Sequence, residues 1–177
     1  LGSHFCIATL LAKLRWGLFL NFGLFFFLED FMPGNEYSID AIVYNGTLTI
    51  TGFADRHIFY EPYFIEMGHT MPTAASKKEK TELIKCFAKA VAALGLTCGA
   101  AKADIKYTPQ GPMVGEIAAR LSGGYMSGWT FPYASELNLT EQALLIALGK
   151  TPEALLEKRI PLSICYGCFF SRQVFHR

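Results

Sequence analysis

A surplus of charge is the first thing this chain lacks: 16 basic residues stand against 15 acidic ones in 177, a formal net charge of +1. No field of one sign therefore recruits nucleic acid or an acidic surface, and a ligand held by local contacts is the better expectation. A second cysteine pair is also missing. The five cysteines, Cys6, Cys86, Cys98, Cys165 and Cys168, form an odd, irregular set in a chain long enough to build a core without disulfides. That favours a reducing compartment, and cytoplasmic is the simplest assignment. "CYGC" has the spacing of half a metal site, but no second pair or nearby histidine pair completes a four-ligand zinc site. Internal repeats and low-complexity linkers are absent.

The chain is also short of a membrane-length apolar run. The uncharged stretch from Trp16 to Leu28 falls below the roughly 20 residues a spanning helix needs. Lys13 and Arg15 interrupt the apolar pattern upstream. Residues 5 to 28 can be read as a signal anchor with a basic centre, although no small-residue cleavage site follows. The favoured reading is a buried helix or strand followed by a strand ending near Met32, with no membrane expected. Residues 1–26 are accordingly set apart as an apolar segment of unassigned role, and 27–177 as the domain.

What is present is a chain of 51% hydrophobic content with clear periodicities. "EYSIDAIVYNGTLTITGFADRHIFY" is rich in β-branched and aromatic residues, and Asn45-Gly46 between two such runs predicts an antiparallel hairpin with a type I′ turn. From Ser76 the period changes. Leu83, Ile84, Phe87, Val91 and Leu94 recur at helical spacing with charges between them, and Gly95 is the predicted cap. Residues 100–107 alternate Ala101, Ala103, Ile105 and Tyr107 against Lys102, Asp104 and Lys106, the two-residue period of a strand with one polar face. "TPQG" turns the chain at Pro109, and "PMVGEIA" returns as the next strand. Asn138 and Glu141 predict a helix to Gly149, and Thr151-Pro152 begins another. Strands, then a helix, then strands, then helices imply an α+β fold with a largely antiparallel sheet flanked by helices.

Asp104 and Glu116 lie on the two strands of the second hairpin. With a plain two-residue turn at Pro109-Gln110, Asp104 faces Gly115 and Glu116 points to the other side. One bulge, for which Gly111 or Gly115 supplies the freedom, brings the two carboxylates face to face. Like charges directly opposite destabilise a sheet, and a divalent cation removes that repulsion. Mg²⁺ uses one or two carboxylates while phosphate oxygens and waters complete its shell. Arg120, a bidentate donor to phosphate or carboxylate, then sits just beyond the metal. The plainer alternative pairs Asp104 with Lys102 or Lys106 on a solvated face, and Glu116 with Arg120.

Two stretches tip this balance by resemblance. "FLEDFMPGNEYSIDAIVYNG" and "ALGLTCGAAKADIKYTPQGPMVGEIAARLSGG" resemble the ATP-grasp superfamily, in its branch of carboxylate–amine ligases and carbamoyl-phosphate-synthetase-like proteins. The likeness runs from about Phe27 to Lys150 and is to the C-terminal part of an ATP-grasp unit. It implies that Glu29, Phe31, Met32 and Glu36 bind the nucleotide, with Glu29 at the adenine hinge and Glu36 on the ribose hydroxyls. It further implies that Asp104 and Glu116 hold Mg²⁺ or Mn²⁺, and that Arg120 acts on the transferred phosphoryl group. ATP would activate a carboxylate as an acyl phosphate for attack by an amine, both small-molecule substrates, and family habit allows a homodimer. Two departures stand out: Ala118 replaces the family's metal-binding asparagine, and residues 1–26 carry neither the glycine-rich phosphate loop nor its lysine. They keep a second reading open, a nucleotide-binding or structural module that has lost catalysis.

"DRHIFYEPYFIEMGHTMP" is dense in polar and aromatic residues, and the resemblance puts it on the substrate side of the cleft, with Glu66 and His69 recognising an amino or carboxylate group. The plainer reading is a surface loop with Phe59, Tyr63 and Phe64 packed beneath it. "GGYMSGWTFPY" is read either as a flexible substrate loop, since glycine permits close backbone approach, or as core.

Overall fold

The computed structural model describes residues 8–12, 24–28, 30–153 and 165–166. The chain divides into two units, Leu1–Met32 and Pro33–Arg177. In the first, β1 (Ala8–Ala12) pairs antiparallel with β2 (Leu24–Leu28). The second strand thus lies four residues short of the end predicted near Met32.

The second unit is built on β3 (Asn35–Tyr44), β4 (Thr47–Phe59), β5 (Ile65–Met71), β6 (Gly99–Thr108), β7 (Gly111–Ala118) and β8 (Cys165–Tyr166). These form one sheet in the order β7-β6-β3-β4-β5-β8, and every neighbouring pair is antiparallel. The β3–β4 hairpin turns at Asn45 and Gly46 with φ of 49° and 76°. That double positive φ is what a type I′ turn requires, and asparagine and glycine tolerate it best.

Helix α1 (Lys77–Ala93) covers one face of the sheet. Its start is fixed by a capping box. Ser76 Oγ accepts from the Glu79 N–H at 3.2 Å, while the Glu79 carboxylate accepts from the Ser76 N–H at 2.8 Å. Leu83, Phe87 and Val91 recur on one side of α1 and are buried against Tyr37, Ile39, Ala41, Val43, Ala101, Ala103 and Ile105. Each such side chain contributes about 1.5–3 kcal/mol relative to exposure. Leu94 is the C-cap, and Gly95, predicted for that role, follows it with φ 69°.

The opposite face is shared. Part of it carries a second cluster in which Ala54 and Met71 pack with Met126, Phe131, Ala134, Leu137 and Leu139. These come from a π-helical turn (Met126–Thr130), α2 (Phe131–Ser135), the link after it that carries Leu137, and α3 (Leu139–Ala147), which is capped by Asn138. Of the residues of "GGYMSGWTFPY" that the core reading names, Phe131 is buried, with Met126 beside it, whereas Tyr125 and Trp129 are exposed, as is Tyr133. Gly52 on β4 is what lets Phe131 settle on the sheet, because a Cβ there would fall inside the phenyl ring. Beyond residue 153 the helix expected from Thr151-Pro152 lies outside the described residues. Among the described residues, no helix is long and apolar enough to cross a membrane.

Candidate functional site

The remainder of that second face is charged, and strand register assembles it. Residues directly opposite in antiparallel strands project on the same side. Glu36 pairs with Lys106 on one neighbour and Arg56 on the other, and Arg56 pairs in turn with His69. One row further along, Ser38 pairs with Asp104, and Asp104 with Glu116. A third row sets Asp40 between Lys102 and Gly52.

The carboxylates face each other through a bulge. From the turn, Thr108 pairs with Gly111 and Ile105 with Val114, then the register shifts and Asp104 meets Glu116. Gly115 is the extra residue, one of the two positions the sequence offered for it. The β3–β4 pair also shifts by one, between Asp40 and Ala41, with Thr51 inserted. Without that shift Glu36 would face Asp55 instead of Arg56.

Arg56 is the hub that the sequence reading missed. Its Nε donates to Glu66 Oε2 at 3.0 Å, and its Nη2 pairs with the same oxygen. Nη1 pairs with Glu36 and stands 3.0 Å from Asp104 Oδ2. Burial alone would lower the affinity of this guanidinium for its proton, but the Glu66 hydrogen bond and the charges of Asp104 and Glu36 outweigh it and hold the pKa above its ordinary value. The available signal was the position of Arg56 in an alternating strand opposite Glu36, visible only once the bulge is known.

Lys102 is the second bridging cation. Its Nζ donates to Asp104 Oδ2 at 2.6 Å and lies 3.4 Å from Glu116 Oε1. Ser38 Oγ donates to the other Asp104 oxygen at 3.1 Å. Arg120 Nη2 donates to Glu116 Oε1 at 3.2 Å and Nη1 to the Leu121 carbonyl at 3.0 Å. The plainer pairing, Asp104 with Lys102 and Glu116 with Arg120, is thus present, but its face is not a solvated one. The Lys102 side chain is 8% exposed and Asp104 13%, while Glu116 is open at 53%. Counting charges, Glu36, Glu66, Asp104 and Glu116 balance Arg56, Lys102, Lys106 and Arg120. Pairing of this kind offsets the cost of burying charge, and Asp40, the fifth carboxylate of the face, is held by hydrogen bonds from Ser122 and Ser127.

Glu66 and His69 lie on strand β5 rather than in a surface loop, and His69 Nε2 is 3.4 Å from Glu66 Oε1. Burial pushes the His69 pKa down, the Arg56 charge adds to this and Glu66 opposes it, so the ring is neutral near pH 7. Phe59, Tyr63 and Phe64 are exposed, and the Phe59 ring stacks on His57. Of the nucleotide residues implied by resemblance, Glu36 belongs to the cluster. Phe31 is exposed and Met32 half-buried at the end of the Leu1–Met32 unit, and Glu29 lies outside the described residues.

A divalent cation can be weighed against this donor set. Two carboxylates from adjacent strands, one of them open to solvent, match the one or two that Mg²⁺ takes from protein, and no third ligand is demanded when phosphate oxygens are available. Among the described residues no group of three or more metal-ligating side chains exists, so a closed all-protein cage is not the type of site on offer. Asp104 and Glu116 are donors of the kind such a cation takes, and Lys102 Nζ, 2.6 Å from the first and 3.4 Å from the second, now stands between them.

The model of the ATP-grasp domain matches residues 22–128, more than half of the chain. The chain belongs to the ATP-grasp family. Carnosine synthase 1 of Gallus gallus is 29% identical over 137 residues, covering 77% of this chain and 14% of the relative. The Homo sapiens protein of the same name is 27% identical, with 16% of its length covered. This ATP-grasp chain therefore spans about a seventh of the length of those relatives. Among solved structures, the L-amino acid ligase from Bacillus licheniformis superposes with a TM-score of 0.68 at 23% identity, over 75% of this chain and 33% of that one. Phosphoribosylglycinamide synthetase from Anaerococcus prevotii gives 0.65 at 17% identity, with the same coverage. Both likenesses establish the fold, an antiparallel sheet with its helices.

Proposed function

We propose that this chain is the nucleotide- and metal-binding part of an ATP-dependent carboxylate–amine ligase. The observation that carries the reading is the bulge-set pairing of Asp104 with Glu116 beside Lys102, Arg56 and Arg120. Glu36 takes the ribose hydroxyls, and Asp104 and Glu116 would hold Mg²⁺ or Mn²⁺. The bound cation supplies charge neutralisation on the phosphate oxygens. Arg120, exposed and paired with Glu116, would turn onto the transferred group, where a guanidinium forks onto phosphate oxygens. Lys102 and Arg56, held beneath, contribute fixed positive charge in a partly dry site, where it acts more strongly than in water.

A substrate carboxylate oxygen attacks the γ-phosphorus as the bond to ADP breaks. The amine nitrogen, as the free base once its ammonium proton has passed to water, then attacks the acyl carbon, and phosphate leaves, taking up the proton released as the amide forms. Little covalent work falls to the protein, since phosphoryl transfer depends chiefly on positioning and electrostatics. Glu66 and neutral His69 hold the amine substrate, Glu66 by charge and His69 as a lone-pair acceptor. The names of the relatives, carnosine synthase and L-amino acid ligase, favour amino acids as substrates.

A second reading, a nucleotide-binding module without catalysis, is favoured by Ala118 and by the position of Lys102 Nζ between the two carboxylates. Calorimetry of ATP with and without Mg²⁺, on the wild type and Glu116→Gln, tests the site. Binding that requires the metal and falls about tenfold in the variant supports it, in line with loss of one ligand. No binding by a folded wild type overturns it. Release of ADP and phosphate on adding L-amino acids then separates the ligase from the silent module.

A further inference from the structure

The chemistry proposed above leaves one buried carboxylate unused. Asp40 lies mid-way along β3 with no exposed surface. It accepts from the Ser122 N–H at 3.3 Å and from the hydroxyls of Ser122 and Ser127. Burial raises its pKa and these hydrogen bonds pull it back. A sheet position of this kind takes an apolar residue at lower cost, so three donors converging on a buried carboxylate call for another explanation.

The two serines bracket a glycine turn. Ser122 precedes Gly123-Gly124 and Ser127 closes the passage through Tyr125 and Met126. Gly124 and Tyr125 both have positive φ, 58° and 63°. For tyrosine that is an uncommon conformation, which persists only where the surroundings enforce it. The turn reaches the proposed amine site, because a Cβ on Gly124 would stand 4.0 Å from Glu66 Oε1. At its other end the same segment begins with Arg120, whose guanidinium donates to the carbonyl of Leu121, the residue before Ser122.

We propose that Asp40 is a positioning residue: through Ser122 and Ser127 it pins the 120–127 segment to the sheet, setting the Gly123-Gly124 backbone as the wall of the amine-substrate pocket beside Glu66 and fixing the root of Arg120. The proposal deepens the ligase reading and rests on it for the identity of the pocket. Nucleotide contacts at Glu36 lie two rows away on β3 and are not part of the clamp.

Ser122→Ala/Ser127→Ala removes both hydroxyls without leaving a new buried donor, and Asp40→Asn tests the carboxylate itself. Hydrogen exchange is read on the ligand-free full chain, where the amides of 121–128 should exchange about tenfold faster or more while those of α1 keep their protection, the pattern of local opening. In phosphate release with L-alanine as probe substrate, KM for L-alanine should rise about tenfold and kcat should fall severalfold as the root of Arg120 loosens, with MgATP affinity within about twofold, since a small misplacement at a pocket wall has effects of that size. Unchanged exchange at 121–128 in the serine double variant overturns the proposal, as does a parallel fall in MgATP affinity and in α1 protection, which would mark a global structural role. A wild type that binds no MgATP defeats the ligase reading, while the exchange result still decides whether Asp40 anchors the turn.

Discussion

Asp104 on β6 and Glu116 on β7 stand directly opposite each other because Gly115 is an extra residue in the second strand. Their repulsion is relieved unequally. Asp104 receives Lys102, Arg56 and Ser38, while Glu116 is exposed beside Arg120. The two neutralising substitutions should therefore part company in urea unfolding. Asp104→Asn leaves two cations short of a partner and costs about 2–3 kcal/mol. Glu116→Gln changes stability by under about 0.5 kcal/mol, as expected for an exposed pair. Equal losses would mean that Glu116 is as much a structural counter-ion as Asp104.

Arg56→Ala removes one cation from three carboxylates. Glu36, Glu66 and Asp104 would then face one another across β3, β4, β5 and β6 with Lys102 and Lys106 as the remaining cations close by. Breaking a buried pair costs about 3–5 kcal/mol, and the partial exposure of Glu66 points to the low end. Arg56→Lys should recover less than half of the loss, since an ammonium cannot span partners on three strands as the planar guanidinium does. Full rescue by lysine would reduce Arg56 to a point charge.

Gly52→Ala should be among the most damaging small substitutions. Its Cβ has no room because the Phe131 ring lies over the glycine. Overpacking of this kind costs about 1–3 kcal/mol. Combining it with Phe131→Leu, which vacates part of the ring, should give a double variant more stable than the sum of the single losses. Additive losses in thermal unfolding would show that the ring and the glycine do not share space.

His69 makes stability depend on pH. Its pKa lies below the ordinary 6.5 because burial disfavours the imidazolium, with Arg56 and His57 acting in the same direction and Glu66 and Asp104 against it. Between the folded value and 6.5 the unfolded chain binds a proton that the native ring refuses, so unfolding becomes easier as pH falls through that window and levels off below it. His69→Gln should flatten this slope. Asp40, raised by burial, contributes with the opposite sign but is present in both proteins, so the difference between them isolates His69. Parallel stability curves for wild type and variant would refute the assignment.

The local elements were legible in the sequence because each rests on contacts a few residues apart. Asn45-Gly46 specifies its turn, Ser76 and Glu79 the start of α1, and the alternation through residues 100–107 a strand, all by near-neighbour sterics and hydrogen bonds. The ATP-grasp resemblance was legible too, carried by Glu29, Glu36, Asp104, Glu116 and Arg120 in their spacing. What the sequence left open was which residues share a face. Side chains alternate with a period of two, so one inserted residue reverses every partner beyond it. Gly115 decides whether Glu116 meets Asp104, and Thr51 whether Glu36 meets Arg56 or Asp55. The first bulge could be anticipated from a glycine. The second occurs at a threonine that nothing in the local pattern distinguishes, and only the packing of β3 between β4 and β6 decided it, because burying one face against α1 leaves a single register for the charges on the other.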